Sequence, residues 1–454
     1  MNPATNIRER PTLIRPITMR ETFKTRFGSL MALVGLAIGL GDIWRFPYMA
    51  GLFGGGAFLV LYLVITVLIG IPAIMAELAL GRYARQGPAR AFTAIGMPGG
   101  RWVGALICLT IVMASGFYLV VIGWSLYYLG ATATKSYFGV DTQAYFDGHF
   151  GGFRWSSLWT AMLVALLLGL AVARGVRQGI EKLNAILVPI MFVCFVPMIA
   201  RSLTLPGAVD GLRFFLIPDF FKLLQPQVAL AALGQAFFSL TLGGHALVMY
   251  GSYLADEENL PMTAAKTAFG DTLAGVLAGF VIFPAVFAYG LNPQGGPGLS
   301  FVTLPRVFSE MPLGQAMGML FFLVAFLAGF TSLLGCFEIC HDACHQYWGW
   351  SRRRSLPLTA ALIVLMSVPS LHSATVLQIN DLIWGTTMFP FGSLMAVVGL
   401  GWCVARGRAL AEVRKNSSAP VPDFWLTWIR YVIPTFILLV LIYGWWDYFH
   451  SGRP

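Results

Sequence analysis

The residue of this sequence that most needs a chemical reason is Asp42. It stands in the run LVGLAIGLGDIWRFP, inside an apolar stretch and beside Gly35, Gly39 and Gly41. An acid at membrane depth is costly and reads as functional by default. A second run, FFSLTLGGHALVMY, holds Gly243, Gly244 and His245 in a similar setting. Glycine costs about 1 kcal/mol relative to alanine in a helix interior. An opened helix in lipid must have its freed backbone groups satisfied by protein, water or ligand. Two readings follow. The glycines let helices pack closely, or the two helices are broken and frame a binding site. Thr331 and Ser332 place adjacent hydroxyls in another apolar run, where each can bond back to its own helix. Cys336, Cys340 and Cys344 fall at helical spacing beside His341 and His345. Such groups can bind zinc or copper, but the spacing departs from common zinc patterns, and cysteines on an apolar helix pack as small hydrophobes. No phosphate-binding loop or nucleophile motif appears, so neither ATP-driven transport nor a membrane enzyme has support.

The elements that carry these residues are membrane helices. The 454 residues are 57% hydrophobic and 11% charged, too little charge to cover a soluble domain of this length. Apolar blocks at 57–76, 103–131, 184–200, 273–291 and 314–337 meet the roughly 20 residues a crossing needs. The short alternation of a membrane barrel is absent. Eleven spans are expected, near 27–51, 56–80, 103–131, 157–173, 184–202, 229–254, 263–291, 313–346, 356–371, 381–404 and 426–448. The net charge of +10 invites a nucleic-acid partner, but topology explains it better. With the N-terminus inside, cytoplasmic segments hold 20 of the 30 Lys and Arg, against 6 outside. That is the positive-inside asymmetry, and Arg352, Arg353 and Arg354 form its sharpest cluster. An odd span count puts the C-terminus outside. No short apolar segment with a cleavage site precedes the first span, which is expected to act as its own insertion signal. The six cysteines do not read as a disulfide framework, and the aromatic end YGWWDYFH reads as an interfacial belt.

The two glycine-weakened spans are the first and the sixth. That spacing is what two inverted five-helix repeats produce, spans 1–5 at about 27–202 and spans 6–10 at about 229–404. A further helix follows at about 426–448, and a cytoplasmic tail, 1–26, precedes them. The expected fold is therefore an all-α integral membrane protein with broken helices 1 and 6.

At this point the residues carry a family resemblance. GLAIGLGDIWRFPYMAGLFGGGAFLVLY, followed by GIPAIMAELALGRY, resembles the first two helices of the neurotransmitter:sodium symporter family. GQAFFSLTLGGHALVMYGSYL resembles the sixth and AGFTSLLG the eighth, and the order holds from about residue 20 to 448. Many members have twelve helices; this chain stops after eleven, as some bacterial members do. The resemblance implies a symporter that uses a sodium gradient to import an amino acid across the inner (plasma) membrane.

It also implies roles. A first sodium site would use carbonyls of Gly35, Ile38 and Ala328 and hydroxyls of Thr331 and Ser332. Oxygen ligands suit a hard cation. A second would use Ala37, Asp42, Ser239 and a residue near Gly270. Here the chain departs from the family, which has asparagine where it has Asp42 and Gly270, the latter beside Asp271. Asp42 could hold sodium, carry a proton, or supply the charge that chloride supplies in relatives. Tyr62, Gln235 and Ser239 otherwise match the chloride surroundings, with Ala274 where chloride-independent relatives carry an acid. Chloride is expected not to be required. A substrate carboxylate would meet the amides of Leu40 and Gly41 and the hydroxyl of Tyr118. An ammonium would meet carbonyls of Ala37, Phe238 and Ser239, near Thr241. Leu36, Ser115, Gly244, Ser332 and Cys336 would line the side-chain pocket. Gly244 replaces a frequent aromatic, leaving room for an apolar or aromatic side chain. His245, in place of a small residue, could narrow that pocket or make it more polar. Gly39 lacks the aspartate of amine transporters, which favours a substrate with its own carboxylate. Arg45 and Asp381 resemble the outer gate, with Phe238 as lid and Gln235 in support. Arg20 and Tyr253 match the inner gate, whose acidic partner aligns with Gln346, one turn from Asp342. Glu77 matches a glutamate that bonds the unwound part of span 6. The implied partners are an amino acid and membrane lipid, with the oligomeric state left open. The alternatives are a proton-coupled carrier of the same fold and a membrane sensor without net transport.

Overall fold

The computed structural model describes residues 21–418 and 420–451, and every secondary-structure element among them is helical. Nine helices are long and apolar enough to cross a membrane: Gly56–Ala84, Gly100–Ala133, Trp155–Val172, Val176–Leu203, Leu260–Ala288, Gly314–Trp348, Arg352–His372, Ala374–Cys403 and Phe424–Trp446. The pair Arg26–Ala37 and Gly41–Leu52 meets the same test as one span bent by 50°, which makes ten. The segment expected as a sixth crossing consists of two shorter helices, Pro226–Ser239 and Ala246–Gly251. Residues 240–245 between them are not helical.

The segments between the long helices at 132–156, 203–228 and 292–312 carry short helices of their own. Helices Thr142–Phe150, Ala208–Leu216 and Thr303–Glu310 fold parts of them back onto the bundle. Outward-facing apolar side chains remain on the long helices; Val67, Val193 and Val196 are each more than half exposed. Water would penalise that surface and lipid does not.

Small residues let the long helices approach. A Cβ on Gly329 would stand 2.5 Å from Ile122 Cγ1, and one on Gly116 would stand 2.8 Å from the Met366 backbone. Helix association in lipid relies on such close packing. The first broken span starts where Thr25 caps it, its hydroxyl accepting the N–H of Gly28 at 3.0 Å. A capping oxygen satisfies one of the free N–H groups of a first turn. Glu181 accepts the backbone N–H groups of Lys24 and Thr25 at 2.8 and 3.0 Å. The start of the first broken span is thereby tied to the helix that begins at Val176.

Candidate functional site

The two breaks lie side by side. In the first, Ile38 is extended (φ −60°, ψ 104°) and the chain re-enters helix near Gly41. Asp42 Oδ2 accepts the N–H of Gly39 at 3.0 Å. Tyr118, from Gly100–Ala133, accepts the N–H of Leu40 at 2.7 Å. Gly39 is glycine for a steric reason: a Cβ would stand 2.6 Å from the Tyr118 hydroxyl oxygen. In the second break, Thr241 (φ +54°) and Gly244 (φ +64°) adopt left-handed backbone. The freed N–H groups of Gly243 and Gly244 donate to the two oxygens of Glu77, at 3.0 and 2.9 Å. Glu77 is fully buried, so one carboxylate replaces the two helical acceptors that the break removes.

Side-chain bonds join the two broken spans. Thr241 Oγ1 donates to the carbonyl of Leu36 at 3.2 Å, and Gln235 Nε2 donates to that of Gly41 at 2.9 Å. Ser239 Oγ hydrogen-bonds Asp42 Oδ1 and contacts Asp271 Oδ2 at 2.9 Å. Tyr62 donates to Asp271 at 3.3 Å and lies 3.2 Å from Ser239 Oγ. Asp42 and Asp271 are both fully buried. Two carboxylates converging on one hydroxyl need a positive charge to compensate them.

A cavity opens beside this cluster. Its walls are Ala37, Gly39, Gly41, Ala114, Ser115, Phe117, Tyr118, Phe238, Ser239, Thr241, His245, Ser332, Leu333, Cys336 and Phe389. Apolar walls with few polar groups are the usual make-up of a small-molecule site. The structure thus brings Ala37, Gly41, Ser115, Tyr118, Phe238, Ser239, Thr241, Ser332 and Cys336 to one cavity.

Leu36, Leu40 and Gly244 are not among the lining residues. Leu40 contributes its backbone N–H to Tyr118 instead. Gly244 faces the helix Met388–Val398, where a Cβ would collide with the carbonyl of Gly392. The room expected from Gly244 is therefore used for helix contact, and His245 reaches the cavity in its place. Gly270 packs on Val34, 2.8 Å from where its Cβ would stand. Asp271, which the sequence reading named only as the neighbour of Gly270, carries its oxygen to Ser239 and Tyr62. The sequence reading left Ala114, Phe117, Leu333 and Phe389 of the cavity wall unnamed. An acid within an apolar span was the available signal for Asp271, whereas an apolar residue in an apolar span gives none.

The first broken span packs on Gly314–Trp348, the helix that carries Ala328, Thr331 and Ser332. Thr331 Oγ1 donates to the carbonyls of Leu327 and Ala328 at 3.0 and 3.1 Å. That back-bonding uses the hydroxyl proton and leaves oxygen lone pairs for a cation. Asn184 Oδ1, buried and without a partner among the described residues, faces Gly35.

The expected outer ion pair does not form: no ion pair joins Arg45 to Asp381 among the described residues. The Arg45 guanidinium lies 4.4 Å over the Phe238 ring, and its Nη2 donates to Thr386 at 3.4 Å. On the inner side, Arg20 lies outside the described residues. Tyr253 donates to Glu338 at 2.8 Å, and Arg352 donates to both oxygens of Glu338, at 2.5 and 2.8 Å. Gln346 donates to Asp342 at 2.6 Å. The Cys/His run builds no metal-binding cluster among the described residues.

A family model described as the sodium:neurotransmitter symporter family matches residues 20–138 and 145–452. The chain is 36% identical over 445 residues to YhdH, an uncharacterized sodium-dependent transporter of Bacillus subtilis (strain 168), covering 92% of this chain and 96% of that protein. It is 32% identical over 448 residues to an uncharacterized sodium-dependent transporter of Haemophilus influenzae, covering 93% and 98%. The structure superposes on the crystal structure of MhsT in complex with L-phenylalanine with a TM-score of 0.85. The two share 34% identity, with 94% of this chain and 100% of that one covered.

Proposed function

The chain belongs to the sodium:neurotransmitter symporter family, and from that membership we propose that it imports an amino acid with an apolar or aromatic body, coupled to sodium entry. The observation that carries this reading is the cavity at the paired breaks, flanked by the oxygen cluster of Asp42, Ser239 and Asp271. The relative MhsT was crystallised with L-phenylalanine, which supports an amino acid here.

Sodium is cargo in this scheme. One ion takes Gly35, Ile38, Ala328, Thr331 and Ser332. A second takes Ala37, Asp42 and Ser239, with Asp271 supplying the oxygen expected near Gly270. Two carboxylates beside that second ion make chloride unnecessary. The substrate carboxylate meets Gly41, Leu40 and Tyr118, since half-helix N-termini favour anions. Its ammonium meets carbonyls of Ala37, Phe238 and Ser239. Closure over the substrate draws Arg45 off Phe238 toward Asp381. The protein crosses the inner membrane eleven times, as two inverted repeats (27–202 and 229–404) and a further helix (426–448), with the N-terminus cytoplasmic and the C-terminus external.

A second reading is proton coupling. The charge that Asp42 and Asp271 need is supplied equally by a sodium ion or by a proton. A thermal-shift screen of the purified protein against the common amino acids, in sodium and in potassium, separates the readings. Ligands that bind the native state raise its apparent stability. Stabilisation by an amino acid only in sodium, lost in Thr331→Ala and Ser332→Ala, is the expected result. Equal stabilisation in potassium, growing at low pH, favours the proton. Undiminished sodium dependence in both variants removes the first sodium site.

A further inference from the structure

We propose that His245 donates a hydrogen bond to the side chain of the bound amino acid and so selects substrates that carry an acceptor there. The inference rests on the amino-acid reading above and narrows it. His245 follows the two glycines of the second break and lines the cavity. It is 1% exposed. Its Nδ1 accepts the N–H of Ala246 at 2.6 Å. An acceptor nitrogen carries no proton, so the neutral ring holds its proton on Nε2. That Nε2 is buried and has no hydrogen-bond partner among the described residues.

The ring is held in this orientation. It lies over Gly243, where any Cβ would collide with the imidazole, and against Phe389, with ring centroids 4.5 Å apart. Phe389, the ring packed against it, offers no acceptor, and the polar side chains that line the same cavity, Ser115, Tyr118, Ser239, Thr241 and Ser332, make no hydrogen bond to Nε2. The polar groups common to all amino acids are assigned to Ala37, Leu40, Gly41 and Tyr118 and to the carbonyls of Phe238 and Ser239, so the Nε2–H is left for the variable side chain. A buried donor without a partner costs free energy. An acceptor-free side chain would seal it off from water, whereas an acceptor-bearing one satisfies it. Sites built to bond a substrate's polar group reject analogues that lack it much more strongly than apolar pockets reject extra methylenes.

The test compares near-isosteric pairs bound to the purified full-length protein in sodium: tyrosine against phenylalanine, threonine against valine, asparagine against leucine. In any pair that binds, the acceptor-bearing member should bind about tenfold or more tighter. His245→Leu should reduce that preference to less than about threefold, and His245→Gln, which keeps an amide donor, should retain part of it. Sodium-dependent stabilisation of both variants controls for folding. Equal or tighter binding of the acceptor-free member to the unsubstituted protein overturns the role of His245 and leaves the amino-acid reading standing. A preference that is unchanged in His245→Leu overturns that role in the same way. Failure of every amino acid to bind in sodium overturns both.

Discussion

Glu77 shows how much a single side chain can do at a helix break. It is buried, and both its oxygens accept backbone N–H groups from the second break. Removing it strands two buried donors, each costing about 1–3 kcal/mol. Glu77→Ala should therefore lower apparent stability by about 2–6 kcal/mol, read as a clear fall in melting temperature of the purified protein. Glu77→Gln keeps one acceptor oxygen and should lose less. A melting temperature unchanged in Glu77→Ala would mean that water or rearranged backbone serves the break equally well. At this scale the sequence was informative where a polar residue stood in an apolar run, as Asp42 and His245 do, whereas Glu77 and Tyr118 were named through the family resemblance. It was less informative for side-chain direction. Gly244 and His245 are neighbours, and only the left-handed backbone at Gly244 decides which of them faces the cavity. The Arg45 side chain likewise has two reachable partners, the Phe238 ring and Asp381, and spacing does not choose between them.

The two breaks were legible as elements because glycine clusters are costly in helices and have few uses there. The structure separates glycines that serve the break from those that do not. Gly244 has a positive φ and a Cβ position that would collide with Gly392. Gly234, in the helix leading to the same break, has only Val440 Cγ1 within reach, at 4.0 Å. Gly234→Ala should leave stability unchanged or raise it by up to about 1 kcal/mol. Gly244→Ala should be strongly destabilising, since neither the backbone nor Gly392 can yield cheaply. Thermal melts of the two variants side by side check this, and equal tolerance would show that the break is softer than its contacts imply. The short helices at 142–150, 208–216 and 303–310 escaped the sequence reading. Hydropathy marks crossings, and these helices are stabilised by contact with the bundle rather than by a long apolar run.

Across the whole molecule, the apolar blocks and the distribution of Lys and Arg made a multi-pass helical protein readable from composition alone. Among the described residues, nine helices are long and apolar enough to cross a membrane and a tenth span is bent at its break, and the two breaks fall at the positions the glycines marked. The larger claim is that these breaks serve coupled transport. A ligand shifts an equilibrium between outward- and inward-facing forms only by its differential affinity for them. Sodium binding that orders the broken first span is the proposed source of that difference. The most direct test is uptake of a labelled amino acid, taken from the binding screen, into proteoliposomes with an imposed inward sodium gradient. Sodium-coupled import predicts accumulation above the external concentration that collapses when sodium is replaced by potassium or when the gradient is dissipated. Equal uptake with potassium outside, or binding without any accumulation, would contradict it.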